Sequence, residues 1–166
     1  CEAIAALLTD PNCNIRILSE MEELDLYDNN IGNAGCNAIA TLLADPNYNL
    51  RTLYLGCNAV NNEGATAIAN SLINNNKLQQ LYLHGNPIDQ TIIQDVFSNI
   101  LCNTSNINSV YSSNHSLRTL KLRVQEPRQH LASLLSMNKL KNKSHVAIKK
   151  ILKQQPNIDM EPLFQW

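Results

Sequence analysis

The chain has 166 residues, 13 basic and 14 acidic, with a formal charge of −1 and a hydrophobic content of 44%, enough for one domain with a substantial core. Glycine and proline, 5 and 6 residues, are too few for collagen-like or low-complexity chains, and no apolar run approaches the roughly 18 residues of a membrane helix. Charged residues reach only 16%, and asparagine, at 24 residues, fills the gap.

In chain order, Cys1, Ile4, Ala5 and Leu8 fall at i, i+3, i+4 and i+7, one face of a helix. The chain therefore opens inside an element, with no charged n-region or small-residue cleavage site ahead of it. It reads as a piece of a longer protein whose N-terminal end is missing. Asp10-Pro11 stops this helix, because the residue before a proline avoids the helical region. A strand pattern follows, Met21-x-x-Leu24-x-Leu26-x-x-Asn29-x-Ile31, then a helical face of Cys36, Ile39, Ala40 and Leu43 that ends at Asp45-Pro46. The cycle returns as Leu50-x-x-Leu53-x-Leu55-x-x-Asn58-x-Val60 with the helix face Ala65, Ile68, Ala69 and Leu72. A third turn reads Leu78-x-x-Leu81-x-Leu83-x-x-Asn86-x-Ile88, with a bulkier helix of Ile93, Val96, Phe97 and Ile100. The aligned asparagines are 29 and 28 residues apart.

Leucines two apart on a strand share a face, which must be the buried one. Asn29, Asn58 and Asn86 close each strand, where a carboxamide can pair backbone groups left open in the turn. Gly35 and Gly64 precede two of the helices and fit a tight loop-to-helix entry. After a polar stretch from Cys102 to Ser116, Leu117-x-x-Leu120-x-Leu122 supplies a fourth strand motif without its asparagine. From residue 125 the pattern turns helical. Glu126-Pro127 suits a helix start, and Leu131, Leu134 and Leu135, then Ala147, Ile148, Ile151 and Leu152, give two apolar stripes.

Three such motifs in register resemble the leucine-rich repeat, and the spacing with an intervening helix is similar to its ribonuclease-inhibitor-like subfamily. The resemblance implies an α/β solenoid, a horseshoe arc with a parallel inner sheet and outer helices, over residues 1–124. Residues 125–166 are then a helical C-terminal cap, since an array must cover its last exposed core. It also implies a binding scaffold, and some relatives activate small GTPases, a reading that rests on fold analogy alone.

No catalytic or metal motif stands out. The four histidines, His84, His115, His130 and His145, form no H-x-x-x-H or H-E-x-x-H pattern, and Asp25 with Asp28 misses the calcium-loop spacing. No enzyme, cofactor or metal is expected. The five cysteines, at 1, 13, 36, 57 and 102, contain no C-x-x-C pair and read as reduced thiols of an intracellular protein. Asn103-Thr104-Ser105, Asn114-His115-Ser116 and Asn142-Lys143-Ser144 are glycosylation sequons, meaningful only in a secreted chain.

Strand residues that alternate with the leucines point to the open face: Glu23, Asp25 and Tyr27; Thr52, Tyr54 and Gly56; Gln80, Tyr82 and His84; Thr119, Lys121 and Arg123. Asp25, Tyr54, Tyr82 and Lys121 are expected to form one row, and two tyrosines between opposite charges resemble an interface hot spot for a protein or peptide partner. No nucleic-acid partner is expected, because the basic residues are not interleaved with aromatics. Charge is unevenly spread: residues 1–60 hold two basic and eight acidic side chains, residues 117–166 ten and three. The basic end offers a second possibility, an acidic partner or anionic lipid surface at the cap, against solvation of the cap helices by Lys139, Lys141, Lys143, Lys149, Lys150 and Lys153. The terminal Leu163-Phe164-Gln165-Trp166 is read as packing on the cap.

Overall fold

The computed structural model describes residues 20–122 and 129–154, with only the backbone of 90–92. The helix expected at Cys1–Leu8, the Glu126-Pro127 helix start, Arg123 and the terminal Leu163–Trp166 lie outside the described residues. The elements run β1 (Glu23–Asp25), α1 (Asn33–Ala44), β2 (Thr52–Tyr54), α2 (Asn62–Ser71), β3 (Gln80–Tyr82), α3 (Gln90–Leu101), α4 (Ile107–Tyr111), β4 (Thr119–Lys121), α5 (Gln129–Met137) and α6 (Lys143–Gln154). Parallel neighbours need a crossover connection, which the intervening helices supply. The four strands form one parallel sheet in the order β1-β2-β3-β4. Leu24, Leu53, Leu81 and Leu120 stand in one row of the sheet.

Leu53, Leu55, Leu81 and Leu83 are fully enclosed against Ile39, Ile68 and Ile93 of the helices, each such burial being worth about 1.5–3 kcal/mol. Leu24 and Leu26, in the first described coil, are only partly buried. α1 packs on α2 and α2 on α3; farther along, α3 meets α5 and α4 meets α6. The fourth strand motif pairs with β3 in the expected register, Leu81 beside Leu120, and the polar stretch ahead of it contains the short helix α4.

The strand-closing asparagines follow one scheme in two of three coils. Asn58 accepts the amide of Ile31 at 2.9 Å and donates to the carbonyls of Leu26, Leu55 and Gly56. Asn86 accepts from Val60 and donates to Leu55 and Leu83. Each side chain thus ties its own turn to the turn of the coil before it. Asn29 departs from the expectation: it is exposed, and among the described residues it donates to Leu26 and Tyr27 of its own coil. The residue ahead of each asparagine carries the reversal, with φ +55° at Asp28, +55° at Cys57 and +76° at Gly85, the left-handed region that glycine enters without penalty.

The glycine expectation also changes. Gly35 and Gly64 sit inside the first turns of α1 and α2, so their role is contact rather than conformation. A Cβ on Gly35 would meet Ile31 at 2.8 Å, and one on Gly64 would meet Cys36 Sγ at 2.9 Å. Gly64 thus lets its coil close up on the one before, and Gly35 lets α1 pack on Ile31 of its own coil.

Candidate binding face and basic end

The open face of the sheet carries the expected row. Register places Asp25 beside Tyr54, Tyr54 beside Tyr82 and Tyr82 beside Lys121. Tyr54 and Tyr82 are half-buried and stack with ring centroids 4.7 Å apart at 18°, an offset aromatic pair that stiffens the face. Tyr82 donates its hydroxyl to Gln80 at 2.9 Å, which leaves the Tyr54 hydroxyl beside Glu23 and Asp25. Partial burial, and then the nearby carboxylates, push the Tyr54 phenol up from its ordinary value.

At the C-terminal ends of the strands a second cluster forms. Tyr27 lies 5.8 Å from His84, centroid to centroid, and the two rings cover Gly56, where a Cβ would meet His84 at 2.9 Å and Tyr27 at 3.0 Å. Gly56 is therefore buried beneath the face instead of pointing out from it. The Cys57 sulfur and the Tyr27 hydroxyl are hydrogen-bonded at 3.1 Å, and this pairing raises the phenol's pKa. Asp25 accepts the amide of Tyr27 at 2.9 Å, so its carboxylate also holds the turn.

Among the expected face residues, Glu23, Asp25 and Tyr27 are exposed, and Tyr54, Gln80, Tyr82, His84, Thr119 and Lys121 are half-buried. Thr52 is a correction: only 7% of it is exposed, because its short side chain sits between the longer Glu23 and Gln80 in register on either side. It belongs to the floor of the face.

The basic end is built differently from either expectation. Lys150 is fully buried. Its ammonium donates to the carbonyls of Leu101 and, at 3.0 Å, Asn114, and lies 3.0 Å from His115 Nδ1. His115 Nε2 is 3.0 Å from the Tyr111 carbonyl, an acceptor only, so Nε2 carries the proton and Nδ1 receives the Lys150 hydrogen bond. Lys143 donates to the carbonyls of His115 and Asn138. Burial pushes Lys150 down to about 7; burial, reinforced by the Lys150 charge, pushes His115 down to about 4. Lys150 and Lys143 thus bind α6 to the turn ahead of β4, and Lys150 is unavailable to solvent or to an acidic partner. Lys139, Lys141 and Lys149 remain exposed.

A second asparagine series, missed in the sequence, sits on the opposite side of the sheet from the first. Asn75 accepts the amides of Lys77 and Leu78 and donates to Leu43. Asn114 accepts from Ser116 and Leu117 and donates to Leu72 and Asn75. Asn138 donates to Asn114 and Leu117. The signal was an asparagine three residues before the first leucine of the motif, at Asn75 and Asn114. Asn114 is only 3% exposed, so that sequon is closed to glycosylation in the folded chain. Asn142 caps α6 by accepting the His145 amide.

Family models described as "Leucine Rich repeat" match residues 21–40 and 47–69, and "Leucine Rich Repeat" matches 77–100. With the parallel sheet and its repeating register, these matches identify leucine-rich repeats between residues 21 and 100, in an α/β solenoid fold. Among solved structures it is similar to one titled "Leiomodin-1 Actin-Binding Site 2 (ABS2)", at 19% identity and a TM-score of 0.53, over 93% of this chain and 95% of that one. No curated protein matches the sequence closely enough to be named as a relative. Among the described residues no helix is long and apolar enough to cross a membrane.

Proposed function

We propose that the chain is a non-catalytic interaction scaffold that holds a protein or peptide across the open face of its sheet, along the row Asp25–Tyr54–Tyr82–Lys121. One observation carries this reading. The tyrosines stack in register on a surface whose burial is already supplied by the leucines beneath, leaving two half-open aromatic faces between a carboxylate and an ammonium. Aromatic side chains so placed dominate interface energies. Glu23, Tyr27, Gln80 and His84 border the row, and Arg123 extends it by sequence spacing.

Residues 1–124 form the repeat array in this reading and 125–166 its cap. The 28- and 29-residue steps with an intervening helix favour the ribonuclease-inhibitor-like subfamily. The free thiols of Cys36, Cys57 and Cys102 favour a reducing, intracellular setting. Actin is the first partner to try, because the structural neighbour is titled for an actin-binding site. Co-sedimentation with filaments and affinity capture from extract, each with Tyr54→Ala plus Tyr82→Ala as the comparison, test the face. The double variant is expected to lose at least roughly tenfold in affinity; retention of every partner would reject the reading.

A further inference from the structure

Where the turn after α2 meets the end of α3 and the short helix α4, the surface opens into a cleft of about 430 Å³. Its floor is Ile73 and Ile100, and its walls carry Asn99, Asn103, Asn106 and Asn108 with the serines of α4 and the turn after it. None of the described lining residues belongs to a strand, so the cleft is separate from the open face. A second, more open recess of about 570 Å³ shares Asn106 and Asn108 and reaches past the exposed Ile107. The two therefore follow one another along α4.

Every described lining residue is a carboxamide, a hydroxyl or an isoleucine. Residues 64–76 and 96–117, which supply them all, contain no Asp, Glu, Lys or Arg. Asn103 Oδ1 accepts from Ser105 and Asn106 Oδ1 from Ser109, which leaves both NH2 groups as donors. Asn99 and Asn108 are exposed and have no side-chain partner among the described residues, so each offers donors and an acceptor. Tyr111 is 57% exposed and stands three residues from Asn108, hence beside it on the helix surface.

A charged ligand would lose its hydration here and meet no counter-charge among these residues. An apolar ligand would cover the carboxamides without pairing them. A polypeptide docks by adding a strand to a sheet edge or by laying a helix in an apolar groove, and this lining presents neither. What satisfies it is an uncharged frame whose groups both donate and accept, with apolar C–H faces between them. We infer that the α3–α4 cleft binds a neutral oligosaccharide, with hydroxyls on the asparagines and serines and the C–H face of a sugar ring against Tyr111.

The probes are maltotetraose, cellotetraose and tetra-N-acetylchitotetraose, titrated to millimolar concentration into the isotope-labelled full chain and followed by NMR. At least one is expected to shift the side-chain carboxamide signals of Asn99 and Asn108 saturably, with an affinity indifferent to salt. Asn99→Ala plus Asn108→Ala, both at exposed positions, is expected to weaken that binding by roughly tenfold, and Tyr111→Ala is expected to act in the same direction. The exposed pair Asn37→Ala plus Asn47→Ala removes the same groups outside the cleft and is expected to change affinity less than about twofold. No saturable shift from any of the three sugars, or equal losses from the two asparagine pairs, overturns the inference. So does an acetylated and amidated Ser-Asn-Ser-Asn peptide that shifts the same signals when the sugars do not. Tyr54→Ala plus Tyr82→Ala is expected to leave sugar binding unchanged, which separates failure of the cleft from failure of the face.

Discussion

The middle coils and the C-terminal end face the same problem, backbone groups stranded in tight buried turns, and answer it with different chemistry. Around β2 and β3 the turns are served by neutral carboxamides, Asn58 and Asn86, each reaching back one coil. Around β4 the carbonyls of Leu101, Asn114 and His115 are met by amines, Lys150 and Lys143, arriving from α6. A repeating coil always has an identical neighbour, so a short side chain at a fixed position suffices. Where the repeat ends the neighbour is a helix at a different distance, and the long donors of α6 are added to the carboxamides of Asn114 and Asn138 that also serve this turn. The amide solution is indifferent to pH, whereas the amine solution is not.

The largest effect should come from breaking the amide solution. Asn58→Ala strands the buried amide of Ile31 and removes one of the donors to the carbonyls of Leu26, Leu55 and Gly56, and is expected to lower stability by about 2–3 kcal/mol, read by urea unfolding. Asn29→Ala, at the exposed equivalent, should lose less than about 1 kcal/mol. Similar losses at the two positions would show that the inter-coil bonds contribute nothing special.

The amine solution should reveal itself through pH. Lys150 and His115 both hold protons less readily when folded, so the unfolded chain binds more protons and stability rises with pH. For Lys150 the rise spans about 7 to the ordinary 10.5; for His115 it spans about 4 to 6.5. Both contributions are lost on acidification through these windows. Lys150→Met is expected to cost about 2 kcal/mol on the alkaline side, where it only removes hydrogen bonds. That deficit should narrow as pH falls, since the variant has no buried ammonium to form. Thermal melts across the range would show the two curves converging; parallel curves would mean Lys150 titrates normally.

Smaller effects sharpen the contrast. Gly64→Ala drives a methyl against Cys36 Sγ at 2.9 Å and Asn33 at 3.0 Å, with an expected loss of about 1–2 kcal/mol by chemical denaturation. At the bottom of the scale, Glu22→Gln breaks an ion pair to Arg51 whose side chains are 60% and 55% exposed. A change under about 0.5 kcal/mol is expected, and a larger one would point to coupling with the strand pairing beside it.

Periodicity by itself determined the leucine stack, the four parallel strands, the helix between successive strands and the Asp25–Tyr54–Tyr82–Lys121 row. Each follows from local spacing repeated along the chain, and a two-residue alternation has only one way to bury its leucines. Tertiary structure alone decided how enclosed each position is. Asn29 and Asn58 occupy the same place in the motif, yet one is exposed and the other buried. Thr52 sinks because longer residues flank it on neighbouring strands, and Gly64 is small because a helix from the previous coil presses on it. Lys150 looks like any other lysine of a basic helix until α6 folds against the turn at Asn114. Burial and partner choice depend on what arrives from 20 to 50 residues away, as in the bonds of Lys153 to Ser133 and Lys150 to Leu101, and no pattern within one coil encodes that.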